Sequence, residues 1–167
     1  MCSRIVTLGL LILVPLSCQQ TSDPGPLETA VDLQKSGQTD QAIDLLADSD
    51  IEQCLRESSL ESLKMSEAQF AELSRAGRSE GQEEMLLVVP VVKQAAFQQI
   101  ETMQAAEDAG RTAESKRLRD QIQRLIRDLQ GENRVTLYQQ LGSGIQKKLD
   151  QVTSKQKADE TDSKVTH

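Results

Sequence analysis

The sequence predicts an all-α protein, a repeat-like helical hairpin followed by an antiparallel helical bundle and a disordered C-terminal tail. Three observations carry that prediction. Aromatic residues make up only 2% of the chain, with Phe70, Phe97 and Tyr138 the whole set. A core must then be built from Leu, Ile, Val, Ala and Met, which suits helix packing better than a sheet rich in Val, Tyr and Phe. Apolar residues recur at i, i+3, i+4 and i+7 over most of the body. Finally, Gly37, Gly110 and Gly131 punctuate those periodic stretches where helices are expected to stop.

At 167 residues the chain has room for about one domain. Its net charge of −7 is unevenly spread: residues 19–110 hold 6 basic and 18 acidic side chains, residues 111–134 hold 7 and 4. So acidic a body argues against nucleic acid, because neutralising phosphates needs a positive footprint and single strands need stacking aromatics.

The amino terminus opens with Arg4 as a short positive region, followed by the apolar stretch Ile5 to Leu16. As a helix, twelve residues span roughly 18 Å against about 30 Å of bilayer hydrocarbon, too short for a stable crossing. The stretch reads as an export signal of residues 1–17.

The box Pro15-Leu16-Ser17-Cys18 that closes it resembles the end of bacterial lipoprotein signal peptides. Ser17 and Cys18 match that pattern directly, Leu16 sits one place late, and Pro15 takes the place usually held by Leu. The resemblance implies cleavage between Ser17 and Cys18, diacylglycerol on the Cys18 sulfur and acylation of the new amine. Gln19 in the next place implies passage to the periplasmic face of an outer membrane. Two or three acyl chains hold where one exchanges, since each buried methylene contributes about 0.8 kcal/mol. Membrane lipid is thus one expected partner. Cys2 would leave with the signal and Cys54 would remain as a lone thiol, so the domain must be stabilised by packing; an unmodified Cys18 would leave a Cys18–Cys54 bridge open.

Residues 18–26 follow as a lipidated cysteine and a polar tether, QQTSDPGP, without apolar period. The helical domain is expected over 27–153. Its first element is a hairpin over 27–47, with Leu27, Ala30, Val31 and Leu33 before Gly37, and Ala42, Ile43, Leu45 and Leu46 after it. Gly37 suits the left-handed position that ends a helix, and Thr39 or Asp40 suits the next cap. Ala30, Leu33, Gly37, Ala42 and Leu46 together resemble the core spacing of a tetratricopeptide repeat. There, small residues let two helices approach and large ones fill the groove between them. Pro26 and Cys54 depart from the repeat, and no second copy follows 34 residues on, so one hairpin docked on other helices is the reading.

Ile51, Cys54, Leu55, Leu60 and Leu63 suggest short helices broken at Ser58-Ser59. Ser66 to Gln69 has the form of a capping box, and RAGRSEG, residues 75–81, reads as a loop. One long helix is expected from Gln82 to Ala109, bent at Pro90, with Leu86, Val89, Val92 or Lys93, Ala96, Phe97, Ile100 and Met103 along one face. The run Met85 to Val92 also has the length and branching of a buried strand, although Pro90 argues against it. Gly110 stops this helix and Thr112 suits the next cap. Leu118, Ile122, Leu125, Ile126 and Leu129 form the cleanest amphipathic stripe in the chain. Asn133 suits the start of a last helix with Val135, Tyr138, Leu141, Ile145, Leu149 and Val152, weakened by Gly142 and Gly144 unless a neighbour packs closely there. Residues 154–167, with alternating charge and one isolated Val, read as the disordered tail.

No cofactor or metal site is legible. The single histidine, His167, ends the chain, which removes His-based triads and metal sites. Cys54 reads as a buried small residue. The pairs Glu83-Glu84 and Glu107-Asp108 diverge by about 100° on a helix and do not converge on a substrate. Lys116, Arg117, Arg119, Arg124, Arg127 and Arg134 read as salt-bridged exterior, with Lys116–Asp120, Asp120–Arg124 and Arg124–Asp128 four apart. The expectation is a membrane-anchored, non-enzymatic helical scaffold of the bacterial envelope that binds another envelope protein. The alternatives are an enzyme with a carboxylate-lined cleft and a carrier that holds lipid in an apolar groove around Leu86 to Met103.

Overall fold

The computed structural model describes the backbone of residues 24–165 and the side chains of residues 24–154. The export signal, Ser17, Cys18 and most of the tether lie outside the described residues, as do the side chains of 155–167 in the expected tail. Seven α-helices and one 3-10 turn make an all-α body, with no strand among the described residues: α1 (Pro26–Lys35), α2 (Thr39–Ala47), α3 (Ile51–Glu57), the 3-10 turn (Glu61–Lys64), α4 (Glu67–Glu72), α5 (Arg75–Asp108), α6 (Thr112–Leu129) and α7 (Thr136–Val165). Met85 to Val92 is helical, inside α5.

The hairpin closes as its glycine requires. Gly37 takes φ 78°. Its N–H reaches the Gln34 carbonyl at 3.1 Å, and the Gln38 N–H reaches Leu33 at 2.9 Å, the paired bonds that satisfy a helix's last carbonyls. Gly110 repeats the device at φ 70°, with Arg111 N–H on the Ala106 carbonyl at 2.8 Å. These closures satisfy the carbonyls of the preceding helices, and the helices that follow start without a side-chain cap. Neither Thr39 nor Asp40 caps α2, whose cap position is Gln38, and Thr112 is the first residue of α6 behind Arg111. The expected capping box is present: Ser66 accepts the Gln69 N–H at 3.3 Å and Gln69 returns to the Ser66 N–H at 2.9 Å.

The expected loop at 75–81 is instead the first two turns of α5. The Ser74 hydroxyl caps it, accepting the Gly77 N–H at 3.1 Å, and the Arg78 guanidinium binds the carbonyls of Leu73 at 2.6 Å and Ala71 at 3.0 Å. Gly81 allows the Phe70 ring to press on the helix, since a Cβ there would lie 2.8 Å from the ring. Long-range contacts override local glycine content. Pro90 sits inside the unbroken helix on an exposed position, so the hydrogen bond it forfeits lies on the solvent side.

The stripe expected on α5 is rotated in its first half. Met85, Val88, Val91 and Val92 face inward, joined by Ala95, Ala96, Ile100, Met103 and Ala106, whereas Leu86 is 70% exposed. An apolar run such as MLLVVPVV fits several registers, and packing chose among them. α6 buries the expected Leu118, Ile122, Leu125, Ile126 and Leu129.

The bundle α5–α6–α7 runs up, down and up. Arg119 on α6 reaches back across the Gly110 turn to Glu107 at 2.6 Å and forward to Thr153 on α7 at 3.5 Å. Further down, Gly142 of α7 packs against Leu129, the last residue of α6, and Gln130 just after it, where a Cβ would meet carbon atoms at 3.0 Å. Asn133 lies in the preceding turn, and α7 starts at Thr136, whose N–H donates to Glu67 at 2.8 Å. The hairpin lies across α5. Gln99 is 3% exposed and donates to the carbonyls of Ala47 at 3.0 Å and Ser49 at 2.8 Å, which have no partner within α2.

Candidate functional site

Of the residues singled out in the sequence, Ser17 and Cys18 lie outside the described residues. The hairpin set is placed. Ala30, Ala42 and Leu46 are fully buried, Leu33 is half-buried, and Gly37 makes the reversal between the helices. These side chains merge with the core of α5.

Three polar clusters, none legible from the sequence, fasten the short elements to the bundle. Glu28 on α1 accepts the Ser59 N–H at 2.6 Å, the Ser58 hydroxyl at 2.8 Å and the Ser59 hydroxyl at 3.0 Å, so one carboxylate oxygen organises the break after α3. Ser62 stands between two helices, its N–H on Glu84 at 2.8 Å and its hydroxyl 2.7 Å from that of Tyr138. Asp50 caps α3 through the Gln53 N–H at 3.4 Å and receives Arg124 at 2.7 Å and Gln121 at 3.2 Å from α6. Only Asp50 had a local signal, an acid one place before an apolar-periodic stretch.

Glu28 and Asp50 titrate below the ordinary carboxylate range. Burial opposes this at both. Hydrogen bonds from Ser59 and Ser58 outweigh it at Glu28, and those from Gln121, Gln53 and Arg124 outweigh it at Asp50. A carboxyl with a lower pKa in the folded chain contributes stability that is complete above its unfolded value and is lost as pH falls through the folded one. The urea midpoint is therefore expected to decline as pH falls below about 5, and less steeply in Glu28→Gln. An equal decline in both proteins would show that Glu28 does not contribute. At the other extreme, burial pushes the Tyr138 hydroxyl up to about 12, with Glu84 adding to the shift and Ser62 opposing it. Stability from that proton is complete below the free phenol value of about 10 and is lost as pH rises through about 12. Burial, then the carboxylates of Asp50 and Glu57, raise the Cys54 thiol, which is buried and free. A thiol kept protonated in this way is a poor nucleophile.

The acid pairs of the sequence are absorbed singly, Glu84 by Ser62 and Glu107 by Arg119. The basic set on α6 is arranged differently from the expected ladder. Among the described residues none of the three i,i+4 pairs forms. Arg124 instead crosses to Asp50 at 2.7 Å, and Arg134 pairs with Asp128 at 2.5 Å. Acids on neighbouring elements offer geometries that helix spacing alone does not predict.

The surface carries shallow grooves. One of about 610 Å³ lies between α2 and α5 over Ile43 and Phe97, with Asp40, Asp44 and Glu101 on its rim. Gln98 engages Asp44 at 3.1 Å and Lys148 engages Glu101 at 3.6 Å. Lys93 and Lys148 each place an ammonium 5.6 Å from the centre of the Phe97 ring, within cation–π range. Among the described residues no three His, Cys, Asp or Glu side chains come together in a way that could hold a metal ion, so the rim carboxylates share a groove without forming a ligand set. Of the apolar side chains from Leu86 to Met103, Val88, Val91, Val92, Ala95, Ala96, Ile100 and Met103 are buried in the core, Leu87, Val89 and Phe97 are partly buried against it, and Leu86 is exposed. No helix among the described residues is long and apolar enough to cross a membrane. No protein-family model, curated protein or solved structure matches the chain.

Proposed function

We propose that the chain is a bacterial envelope lipoprotein, held at a membrane by acyl chains on Cys18, whose helical body acts as a docking module for another envelope protein. One observation carries the reading: Cys18 follows directly on Ser17 and the apolar run Ile5 to Leu16, at the place where lipoprotein signals are cut and acylated. The state of Cys54 supports it. Burial and a raised pKa withdraw that thiol from disulfide exchange and leave Cys18 of the processed chain without a disulfide partner. The clusters around Glu28, Ser62 and Asp50 also support it, because they join α1, α3 and the 3-10 turn to the bundle as one body that a partner can grip. The single tetratricopeptide-like hairpin belongs to this proposal as a packing unit within that body.

Expression in a bacterial host fed labelled palmitate tests the anchor. The wild-type chain is expected to take up label and sediment with membranes, and its amino terminus to begin at Cys18 with the added mass of a diacylglyceryl group. Cys18→Ala is expected to carry no label, and Cys54→Ala to label normally. An unmodified terminus at any other residue overturns the anchor. Recovery of no specific envelope protein after crosslinking in cells overturns the docking role.

A further inference from the structure

The groove between α2 and α5 continues past Gln98. That residue borders both the groove over Ile43 and Phe97 and a smaller one of about 190 Å³, which lies beside Ser49 and Gln99 and reaches Arg117 on α6. Along the α2 edge stand Asp40 and Asp44 on the larger groove and Asp48 on the smaller. They are four residues apart, and Asp48, the C-cap of α2, keeps helical backbone angles, φ −80° and ψ −7°. Three carboxylates therefore follow one side of the helix at intervals of about 6 Å.

These three acids lack a cation. Among the described residues the carboxylates of Asp40 and Asp48 have no partner, and that of Asp44 receives only the neutral amide of Gln98 at 3.1 Å. The other acids of the two grooves are served, Glu101 by Lys148 at 3.6 Å and Glu114 by Arg111 at 2.8 Å.

A row of acids on a helix is ordinarily a solvated face, and two further observations set this one apart. Gln99 is 3% exposed and its amide nitrogen donates to the carbonyls of Ala47 and Ser49, yet its Oε1, on a side chain that lines the smaller groove, accepts no hydrogen bond. A buried acceptor left open beside carboxylates calls for a donor. In the larger groove the Phe97 ring already gathers ammonium groups, those of Lys93 and Lys148, each 5.6 Å from its centre. Both observations ask for positively charged donors. Ile43 and Phe97, each half-buried, ask for apolar side chains on the same ligand. Carboxylates spaced a helical turn apart suit a row of cations better than one shared ion.

We propose that the α2–α5 groove is the docking site of the body and takes an amphipathic basic helix of the partner protein. Lysine or arginine at i, i+4 and i+8 of that helix would stand opposite Asp40, Asp44 and Asp48, with apolar side chains between them on Ile43 and Phe97. A helix repeats every four residues at the same rise of about 6 Å, so the two rows keep step. The inference rests on the docking reading of the body, and names its surface and the chemistry of its partner.

Two synthetic peptides of about fifteen residues, of identical composition, test it by calorimetry against the full chain in nonionic detergent, with detergent alone as the blank. One carries three lysines four apart with leucines on the adjoining face; in the other the lysines are shuffled around the helix. The in-register peptide is expected to bind, several-fold more weakly when salt rises from about 0.05 to about 0.3 M, and the shuffled one at least tenfold more weakly. Asp40→Asn/Asp44→Asn/Asp48→Asn is expected to lose about tenfold in affinity. Glu72→Gln/Glu80→Gln/Glu83→Gln, an equal change of charge at exposed positions of α4 and α5, is expected to bind as the wild type does. Circular dichroism checks the fold of each, and Asp44→Asn/Asp48→Asn, which spares the first turn of α2, decides the matter if the triple aspartate variant is less helical. Equal binding of the two peptides, equal losses in the two triple variants, or full binding by the aspartate variant overturns the proposal. So does self-association of the wild type that the aspartate changes abolish, which would give the groove to a second copy of the chain. Failure to recover a partner by crosslinking in cells overturns the docking role, and the peptide measurement separately decides the chemistry of the groove.

Discussion

Ile100→Ala is expected to lower the stability of the helical body by about 2–5 kcal/mol, the range for emptying a fully buried branched site. Ile100 has no exposed surface and sits on α5 beside Gln99, where the hairpin and the bundle meet on one helix. The deletion opens a cavity in the one core cluster that hairpin and bundle share. What limits the loss is how far neighbours can relax into the space, and Met103, one turn on and equally buried, is the side chain flexible enough to do so. The urea midpoint measures the effect, and Leu86→Ala is the comparison. As a 70% exposed position, Leu86 is expected to change stability by about 0.5 kcal/mol or less. Similar losses for the two would mean that the inward register of α5 is wrong.

The second large effect is Gly142→Val, expected to cost about 1–3 kcal/mol by overpacking. A Cβ at this position already lies 3.0 Å from Leu129 Cβ and 3.3 Å from the Ile126 carbonyl oxygen, and branching adds two more carbons to that contact. Neither α6 nor α7 can withdraw without opening the core between them. Gly144 is the opposite case. It is exposed, and nothing lies within 4 Å of where its Cβ would be, so Gly144→Ala is expected to add about 0.5–1 kcal/mol by reducing the freedom of the unfolded chain. Opposite signs two residues apart on one helix, read as shifts of thermal midpoint, would establish the close α6–α7 approach. A stabilising Gly142→Val would refute it.

The contrast between those glycines shows where the sequence is readable. Periodicity identified both as weak points of one helix, but only the neighbour's position says which is required. The all-α class followed from the missing aromatics and from stripes such as Leu118 to Leu129, because helical spacing over twelve residues fits little else. Gly37 and Gly110 were legible because a left-handed reversal suits glycine above other residues. Leu86 and the segment 75–81 were not. An unbroken apolar run fits several helical registers, and RAGRSEG is helical because Phe70 and Ser74 hold its first turns from outside the segment and its own Arg78 reaches back to the Leu73 carbonyl. The polar clusters were illegible for the same reason: Glu28 and Ser58 are 30 residues apart, Ser62 and Tyr138 76, and no spacing rule joins them. At the amino terminus the relation is reversed. Cys18 is read from sequence alone, and the folded body says only where its tether begins.

The position of α5 sets an order of events when the chain is made. Gln99 satisfies the carbonyl of Ala47, 52 residues behind it, and the inner face of the hairpin is covered by the same helix. The first two helices are therefore synthesised long before the surface they need, and isolated segments of ten and nine residues are too short to persist as helices in water. Closing a loop of that length is slow compared with forming local turns, so α5–α6, joined by the tight Gly110 reversal, is expected to nucleate first and the earlier hairpin to condense onto it. Folding then proceeds against the direction of synthesis, and the amino-terminal end, although made first, is the last part of the molecule to be fixed.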